Sequence, residues 1–254
     1  MANGIDQEIY PRPLSGARVP KLPSALPPAS RPLKGAYVEL APMDAALHAS
    51  DLYQASHGSE EALGTWNYLA DGPWPDVQAY ADALRGQTAM LDRLYFAVRP
   101  LDQSTQNEAS AWCGQASFLD THPRDGVTEI GHIWFGAGLR QTRAATEALY
   151  LMIRHAMDDL GYRRMQWRCN AQNENSVRAA GRLGFRFEGI FYNHLIWKGK
   201  NRDTAWFSIL DDEWPELDAI FRQWLDVSNF AADGRALTSL SEMTAARGPG
   251  ERPV

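Results

Sequence analysis

Along the middle of the chain, apolar residues recur either at every second position, as in strands, or at helical spacing. Period-two alternation predicts strands at 37–40, 94–98, 111–119, 129–135, 164–169, 191–197 and 204–210. Helical spacing predicts helices at 44–55, 77–84, 142–160 and 176–183, and another that begins at Pro215. Antiparallel strands, then a strand–helix–strand unit, then a hairpin indicate a mixed α/β (α+β) fold.

The two ends of the chain differ from its middle. Residues 11–32 contain seven of the 15 prolines, which favours an extended arm over residues 1–34 because proline lacks a backbone donor. Residues 231–254 contain no aromatic residue, so we expect a flexible tail over residues 230–254. The folded domain is therefore predicted at residues 35–229.

Composition narrows the classes of partner. An apolar share of 44% and a charged share of 22% are ordinary for a globular protein. A net charge of -6 disfavours nucleic acid as a partner and suits a cationic amine. Cys113 and Cys169 are expected to be buried free thiols, and the histidines and cysteines show no metal spacing. The sequence has neither an apolar leader nor an 18-residue apolar run, so no membrane partner and a cytoplasmic location are expected.

The turn Phe135-Gly136-Ala137-Gly138-Leu139-Arg140 joins a predicted strand to a predicted helix. A dinucleotide fingerprint would need glycine at position 141, which is Gln141, and no Gly-Lys-Ser/Thr sequence is present. A helix start is nevertheless an anion site, because its backbone N–H groups and its dipole face the ligand. Arg140 and Arg143 could add charged donors for a phosphate, or could be solvated surface residues.

Five sequence features follow one another from this turn. They are Arg140-x-x-Arg143-x-Ala145, Thr146-Glu147-Ala148, Asn173-x-x-Ser176, Leu183-Gly184-Phe185 and Glu188-Gly189. This series resembles the acyl-CoA-binding half of the GNAT N-acetyltransferases, specifically the RimJ/RimL-like branch. Arg143 replaces the middle glycine of the family's Arg/Gln-x-x-Gly-x-Gly/Ala loop. The resemblance implies a GNAT fold, with a central, mostly antiparallel sheet that is flanked by helices and splayed at the acyl-CoA site between strands 129–135 and 164–169.

The resemblance also implies which residues bind acetyl-CoA. They are Phe135, Leu139, Arg140, Gln141, Thr142, Arg143, Ala144, Ala145, Thr146, Asn170, Asn173 and Ser176. The resemblance implies that the turn before the predicted helix 176–183 helps to hold the pantetheine arm of CoA.

Transfer of an acetyl group to an amine requires a base, donors for an oxyanion and help for the leaving thiolate. The resemblance points to Glu129 as the base. His132 is the alternative base, on the opposite face of a regular strand. Ser176 could hydrogen-bond the sulfur, although residues there usually cap a helix. Many relatives have, at the position of Ala180, a tyrosine that acts as the acid for the leaving thiolate. Tyr192 is therefore a candidate acid, or a residue that shapes the acceptor site.

Trp66, Tyr68 and Trp74, together with His132, are candidate acceptor-binding residues, and the three aromatic residues could equally be core. The resemblance thus predicts an acetyl-CoA-dependent N-acetyltransferase that acts on a primary amine, either a protein N-terminus or a small molecule, by direct attack in a ternary complex. Two alternatives stay open: a degenerate GNAT domain that only binds CoA or a partner, and an interaction protein that works through its arm and tail. The acceptor and a homodimeric state are also left open.

Overall fold

A computed structural model describes Ile9 and residues 12–101 and 110–248. Its α-helices are α1 Ala45–His57, α2 Glu60–Leu63, α3 Val77–Thr88, α4 Arg143–Arg154, α5 Glu174–Arg182, α6 Trp214–Leu225 and α7 Leu240–Ala245. Its strands are β1 Leu33–Lys34, β2 Val38–Pro42, β3 Leu94–Pro100, β4 Gly114–His122, β5 Val127–Phe135, β6 Arg164–Asn170, β7 Arg186–Trp197 and β8 Lys200–Leu210. The mixed α/β architecture expected from the sequence is confirmed.

The chain divides into two compact units. The first unit comprises residues 27–121 and 129–155. Its strands are ordered β1-β2-β3-β4-β5, and the pairings of β1 with β2, β2 with β3 and β3 with β4 are antiparallel. Helix α4 contacts β1, β2 and β3, while α1 packs on α3 and α3 contacts β3.

The second unit comprises the described residues up to Leu26, residues 122–128 and residues 156–248. Its strands are ordered β6-β8-β7, and both pairings are antiparallel. Helix α5 contacts β6, β7 and α7, and α7 also contacts α6. The predicted hairpin is present and is longer than expected, because β7 begins at Arg186 and β8 at Lys200.

Local capping explains where the helices begin. The side chains of Asp44, Asp76, Thr142 and Asn173 each accept a hydrogen bond from a backbone N–H in the first turn of α1, α3, α4 and α5 respectively. Helix α4 is shorter than the predicted helix 142–160, because a π-helical segment at His155–Asp159 follows it. The left-handed Gly161, with φ of 78°, lies just beyond this segment.

Within the second unit, one buried carboxylate pairs with arginines from three distant parts of the sequence. Glu213 is 2% exposed and pairs with Arg12 of the arm (3.0 Å), with Arg186 of β7 and with Arg247 (4.0 Å). Arg247 also donates to the carbonyl oxygen of Gly184 (2.7 Å). These charge-assisted bonds hold residues far apart in the sequence against one unit.

Residues 231–248 differ from the flexible tail expected from composition. They include helix α7, in which Leu240 is 1% exposed and Thr244 is buried. The Thr244 hydroxyl lies 3.3 Å from the carbonyl oxygen of Arg182. One apolar anchor and several polar contacts order this segment, and a search for aromatic residues alone overlooks them. Residues 249–254 lie outside the described residues.

Candidate active site

The two faces of the first unit's sheet carry different side chains. On the face toward α4, Phe96 and Phe118 meet with ring centroids 6.1 Å apart, and Phe118 packs on His155 at 6.3 Å. The opposite face carries Tyr95 and Ala97, which join the α1 and α3 residues in one buried cluster. Gln115 lies opposite Ala97, and Ser117 lies opposite Tyr95. We call this second surface the polar face.

Glu129, the predicted base, lies on the polar face. It is 3% exposed. An ideal Cβ on Gly131 would come 2.8 Å from Oε1 of Glu129 and 2.9 Å from Cδ2 of Leu119. Leu119 follows Ser117 by two residues and therefore shares its face. Glycine at 131 leaves the room that this carboxylate occupies.

His132 is on the same face as Glu129, so the expected placement on the opposite face is wrong. Its ring meets that of Tyr95 edge-on, with centroids 5.5 Å apart. The expectation assumed regular alternation, whereas His132 has φ of 48°, a left-handed conformation that interrupts the alternation. The Ser117 hydroxyl donates to the carbonyl oxygen of Gly131 (2.8 Å) next to this irregularity. Glu129 and His132, the two candidate bases, therefore both face the buried cluster that Tyr95 shares with α1 and α3.

Burial sets the charge state of His132. Desolvation lowers the pKa of His132; the negative charge of Asp71 opposes this shift, and the positive charge of Arg93 adds to it. The imidazole is therefore neutral at pH 7 and able to accept a proton. Burial also raises the pKa of the neighbouring Tyr95, a shift that the positive charge of Arg93 partly offsets.

The aromatic candidates separate into core and surface. Trp66 is 1% exposed, donates from Nε1 to the carbonyl oxygen of Ser56 (3.3 Å) and meets Trp74 edge-on at 4.8 Å. The backbone N–H of Trp74 donates to Nε2 of His57 (3.1 Å). Tyr68, in contrast, is 40% exposed. Trp66 and Trp74 thus form a wall beside the sheet, and Tyr68 lies outside it.

Two polar residues of the first unit were not singled out from the sequence. Asp71 accepts a hydrogen bond from Nε2 of Gln87 (2.8 Å) and acts on His132 through its charge. Gln115 is 1% exposed. The available signal for Gln115 is a glutamine that shares the mainly apolar run 111–119 with Ser117 as its other polar side chain.

Both arginines at the start of α4 are engaged within the first unit. Nε of Arg140 donates to the carbonyl oxygen of Phe135 (2.8 Å), and its Nη1 donates to Glu61 (3.2 Å). The Arg143 guanidinium carbon lies 3.9 Å from the centroid of the Tyr37 ring. Their side chains are thus held by protein contacts, although their positive charge stays at the helix start.

The backbone of this turn is well placed for an anion. The first turn of α4 contains no acidic residue, and Thr142 caps it by accepting from the N–H of Ala145 (3.1 Å). Ala137, Gly138 and Gln141 are exposed, and Gln141 adopts φ of 60°. Leu139, Ala144, Ala145 and Thr146 are buried, while Phe135 is half-buried. The buried members support the turn, and the exposed ones flank the free end of the helix.

In the second unit, Ser176 is oriented by a tryptophan. The Ser176 hydroxyl accepts a hydrogen bond from Nε1 of Trp167 (3.0 Å). Because an indole N–H can only donate, the hydroxyl proton of Ser176 remains available to a further acceptor. The cap of α5 is Asn173, whose Oδ1 accepts from the N–H of Ser176 (3.2 Å). The capping role therefore belongs to Asn173.

The other second-unit candidates have structural or surface positions. Oδ1 of Asn170 accepts from the N–H of Gln172 (2.9 Å) and closes the turn before α5. Tyr192 is 74% exposed on β7, whereas Ala180 is fully buried. Glu188 lies on β7 with its carboxylate 2.7 Å from Arg164 Nη1; although burial opposes the shift, Arg164 holds the pKa of Glu188 below its usual value.

Comparison with known proteins assigns the family. Residues 38–186, more than half of the chain, match the acetyltransferase (GNAT) domain family. A GCN5-related N-acetyltransferase from Brucella melitensis is 37% identical, with a TM-score of 0.81 over 87% of this chain and 97% of that chain. The chain belongs to the GNAT acetyltransferase family. The GNAT fold expected from the sequence is confirmed.

Two further relatives give context. The Bacillus subtilis protein named "Putative ribosomal N-acetyltransferase YdaF" is 27% identical over 158 residues, which cover 61% of this chain and 82% of that protein. The Microcin C7 self immunity acetyltransferase MccE, solved with acetyl-CoA and AMP, shares the fold at 19% identity and a TM-score of 0.57, covering 69% of this chain and 93% of that one. The GNAT match begins with the first residue of β2 and ends with the first residue of β7, so it contains Glu129, Ser176 and both helix starts but not Tyr192.

No helix among the described residues is long and apolar enough to cross a membrane. Within the same residues, no group of three or more histidine, cysteine, aspartate or glutamate side chains is arranged to hold a metal ion.

Proposed function

We propose that this GNAT protein transfers the acetyl group of acetyl-CoA to a primary amine, by direct attack of the amine in a ternary complex. The observation that supports this most is the buried carboxylate of Glu129 beside Gly131, on a face that also carries a neutral His132. A base held in this way suits the removal of a proton from an ammonium group.

The start of α4 suits the pyrophosphate of CoA. Its first turn lacks acidic residues, and the first backbone N–H groups of a helix have no partner within the helix. Arg140 and Arg143 would add positive charge there rather than direct contacts, since both guanidinium groups are engaged elsewhere in the first unit. When bound, acetyl-CoA supplies the thioester whose acetyl group is transferred.

We assign proton removal to Glu129. Its carboxylate would accept a proton from the ammonium of the acceptor, so that the amine lone pair can attack the thioester carbonyl. The neutral imidazole of His132, on the same face, is the alternative acceptor, although its lowered pKa weakens it as a base. The wall of Trp66 and Trp74 would exclude water from the amine.

We assign support of the leaving thiolate to Ser176. Its hydroxyl accepts from Trp167, so its O–H can donate a hydrogen bond that stabilises the thiolate as the carbon–sulfur bond breaks. Tyr192 is a weaker candidate for this role because its side chain is mostly exposed and it lies beyond the matched range.

The test is thiol release from acetyl-CoA by the purified chain in the presence of a panel of amines: N-terminal peptides, lysine derivatives, polyamines and amino sugars. Amine-dependent release that is lost in Glu129→Gln supports the proposal. Calorimetry with CoA runs in parallel, with Arg143→Glu expected to weaken binding by about 1–2 kcal/mol. CoA binding without release for any amine would instead support a module that binds CoA and does not turn over.

A further inference from the structure

The carboxamide of Gln115 is buried without a hydrogen-bond partner. Gln115 is 1% exposed, and neither Oε1 nor Nε2 of its side chain has a partner among the described residues. Burial of an amide in this state is costly, and proteins seldom tolerate it except where a group has a further task. The other buried glutamine of the first unit, Gln87, donates to Asp71.

Gln115 has polar neighbours in the same condition. The N–H of Gly136 donates to the carbonyl oxygen of Cys113 (2.7 Å). Gln115 lies two residues along β4 from this bond and Trp134 two residues along β5, so the two residues are neighbours across the strands. Nε1 of Trp134 and Nε2 of His132 are also buried and lack partners among the described residues. Ala97, which lies directly opposite Gln115 on β3, has only a methyl side chain and offers the amide no polar partner.

We propose that Gln115, together with Trp134, determines which acceptors bind, by hydrogen-bonding a polar group next to the amine; this inference rests on the proposed function. An amide offers one acceptor and two donors, and the indole adds a donor. A group that offers both an acceptor and a donor, such as a carboxamide, matches this set. A hydrocarbon chain would leave these polar atoms unpaired, and such a mismatch is strongly selective.

The kinetic test compares two amines of similar size, glycinamide and isobutylamine, with wild-type protein and Gln115→Met. The variant keeps the volume of the side chain and removes its amide. We expect the ratio of kcat/KM for glycinamide over isobutylamine to fall by about 10- to 100-fold in the variant, mainly through KM of glycinamide. KM for acetyl-CoA should not change. An unchanged ratio would overturn the proposal.

A second measurement does not depend on turnover. If the amide of Gln115 is reserved for a ligand, Gln115→Met should raise Tm of the free protein by about 2–4 °C, because it removes an unpaired buried amide. The matched variant Gln87→Met should lower Tm, since it removes the bond to Asp71. A fall in Tm for Gln115→Met would show that the amide is structural. Absence of turnover with any amine would count against the proposed function, and Tm would then decide on Gln115.

Discussion

Two buried glutamates of the first unit have nearly equal exposure and different surroundings. Glu147 of α4 is 6% exposed, and its carboxylate accepts from the backbone N–H groups of Ala36 (2.9 Å) and Tyr37 (2.6 Å). Glu129 of β5 is 3% exposed on the polar face, beside Gly131. Burial alone therefore does not distinguish a structural carboxylate from a chemical one.

The surroundings of the two carboxylates differ. Glu147 closes the turn between β1 and β2, and an ideal Cβ on Gly35 would come within 2.3 Å of its carboxylate carbon. Among the described residues, the hydrogen bonds of Glu147 go to the backbone of that turn, as expected for a clamp. The polar face instead gathers Glu129, His132 and Gln115 next to an aromatic cluster, where a substrate amine would find a base and donors.

Exchange of Glu129 for glutamine should have the largest effect. Glu129→Gln should lower kcat by about 10²–10⁴, the usual contribution of a general base, and leave the affinity for acetyl-CoA unchanged. The measurement is steady-state thiol release with the best amine of the panel, across pH. Glu147→Gln is the matched control and should retain kcat. Full activity in Glu129→Gln, with loss in His132→Ala, would move the base to His132.

Glu147→Gln should have the opposite profile to Glu129→Gln, with a loss of stability and no loss of kcat. The amide has one acceptor oxygen, and its NH₂ group would face a backbone N–H, so one donor loses its partner. We expect the free energy of unfolding to fall by about 1.5–3 kcal/mol, measured by urea denaturation. Glu129→Gln is measured in parallel, and a smaller loss there is expected if its carboxylate serves the reaction. Equal losses in the two variants would mean that Glu129 is also a structural clamp.

Ser176→Ala extends the comparison to the second unit, with an intermediate effect. We expect kcat to fall by about tenfold to a hundredfold, because a hydrogen bond to the sulfur assists its departure without being obligatory. Trp167→Phe, which keeps a ring and removes the indole donor, should cause a smaller part of the same loss by freeing the hydroxyl to rotate. A Ser176→Ala variant with unchanged kcat and lower Tm would restrict Ser176 to helix packing.

Much of the fold follows from local patterns. The capping residues Asp76, Thr142 and Asn173 and the left-handed Gly161 lie where the sequence predicts helix ends, because each signal acts within one turn. The alternation on β6 is likewise complete, with Met165, Trp167 and Cys169 buried. Local chemistry decides these features, so one sequence is enough to predict them.

The missed features depend on contacts between distant residues. The isolated Gly131 inside the strand pattern signals an irregularity, but it does not specify that His132 adopts the left-handed backbone that reverses its face. The partners of Arg140 and Arg143 are Glu61 and Tyr37, far from them in the chain. Helix α7 is ordered partly by Arg247 on Gly184. In each case the decisive contact forms only after folding, so composition and period could not reveal it.

The pH dependence of stability tests the polar face with the smallest effect. Because burial lowers the pKa of His132 below 6.5, the unfolded state binds more protons than the folded state between the lowered pKa and 6.5. Stability from the neutral imidazole is therefore complete above pH 6.5 and is lost as pH falls. His132→Gln should flatten this slope in urea denaturation measured from pH 5 to 8; a residual slope is expected, because burial also lowers the pKa of His48 and His57. Asp71 and Arg93 act on His132 with opposite signs, so Asp71→Asn should steepen the slope. An unchanged slope in His132→Gln would mean that His132 protonates equally easily in the folded and unfolded states, so that burial does not hold its imidazole neutral.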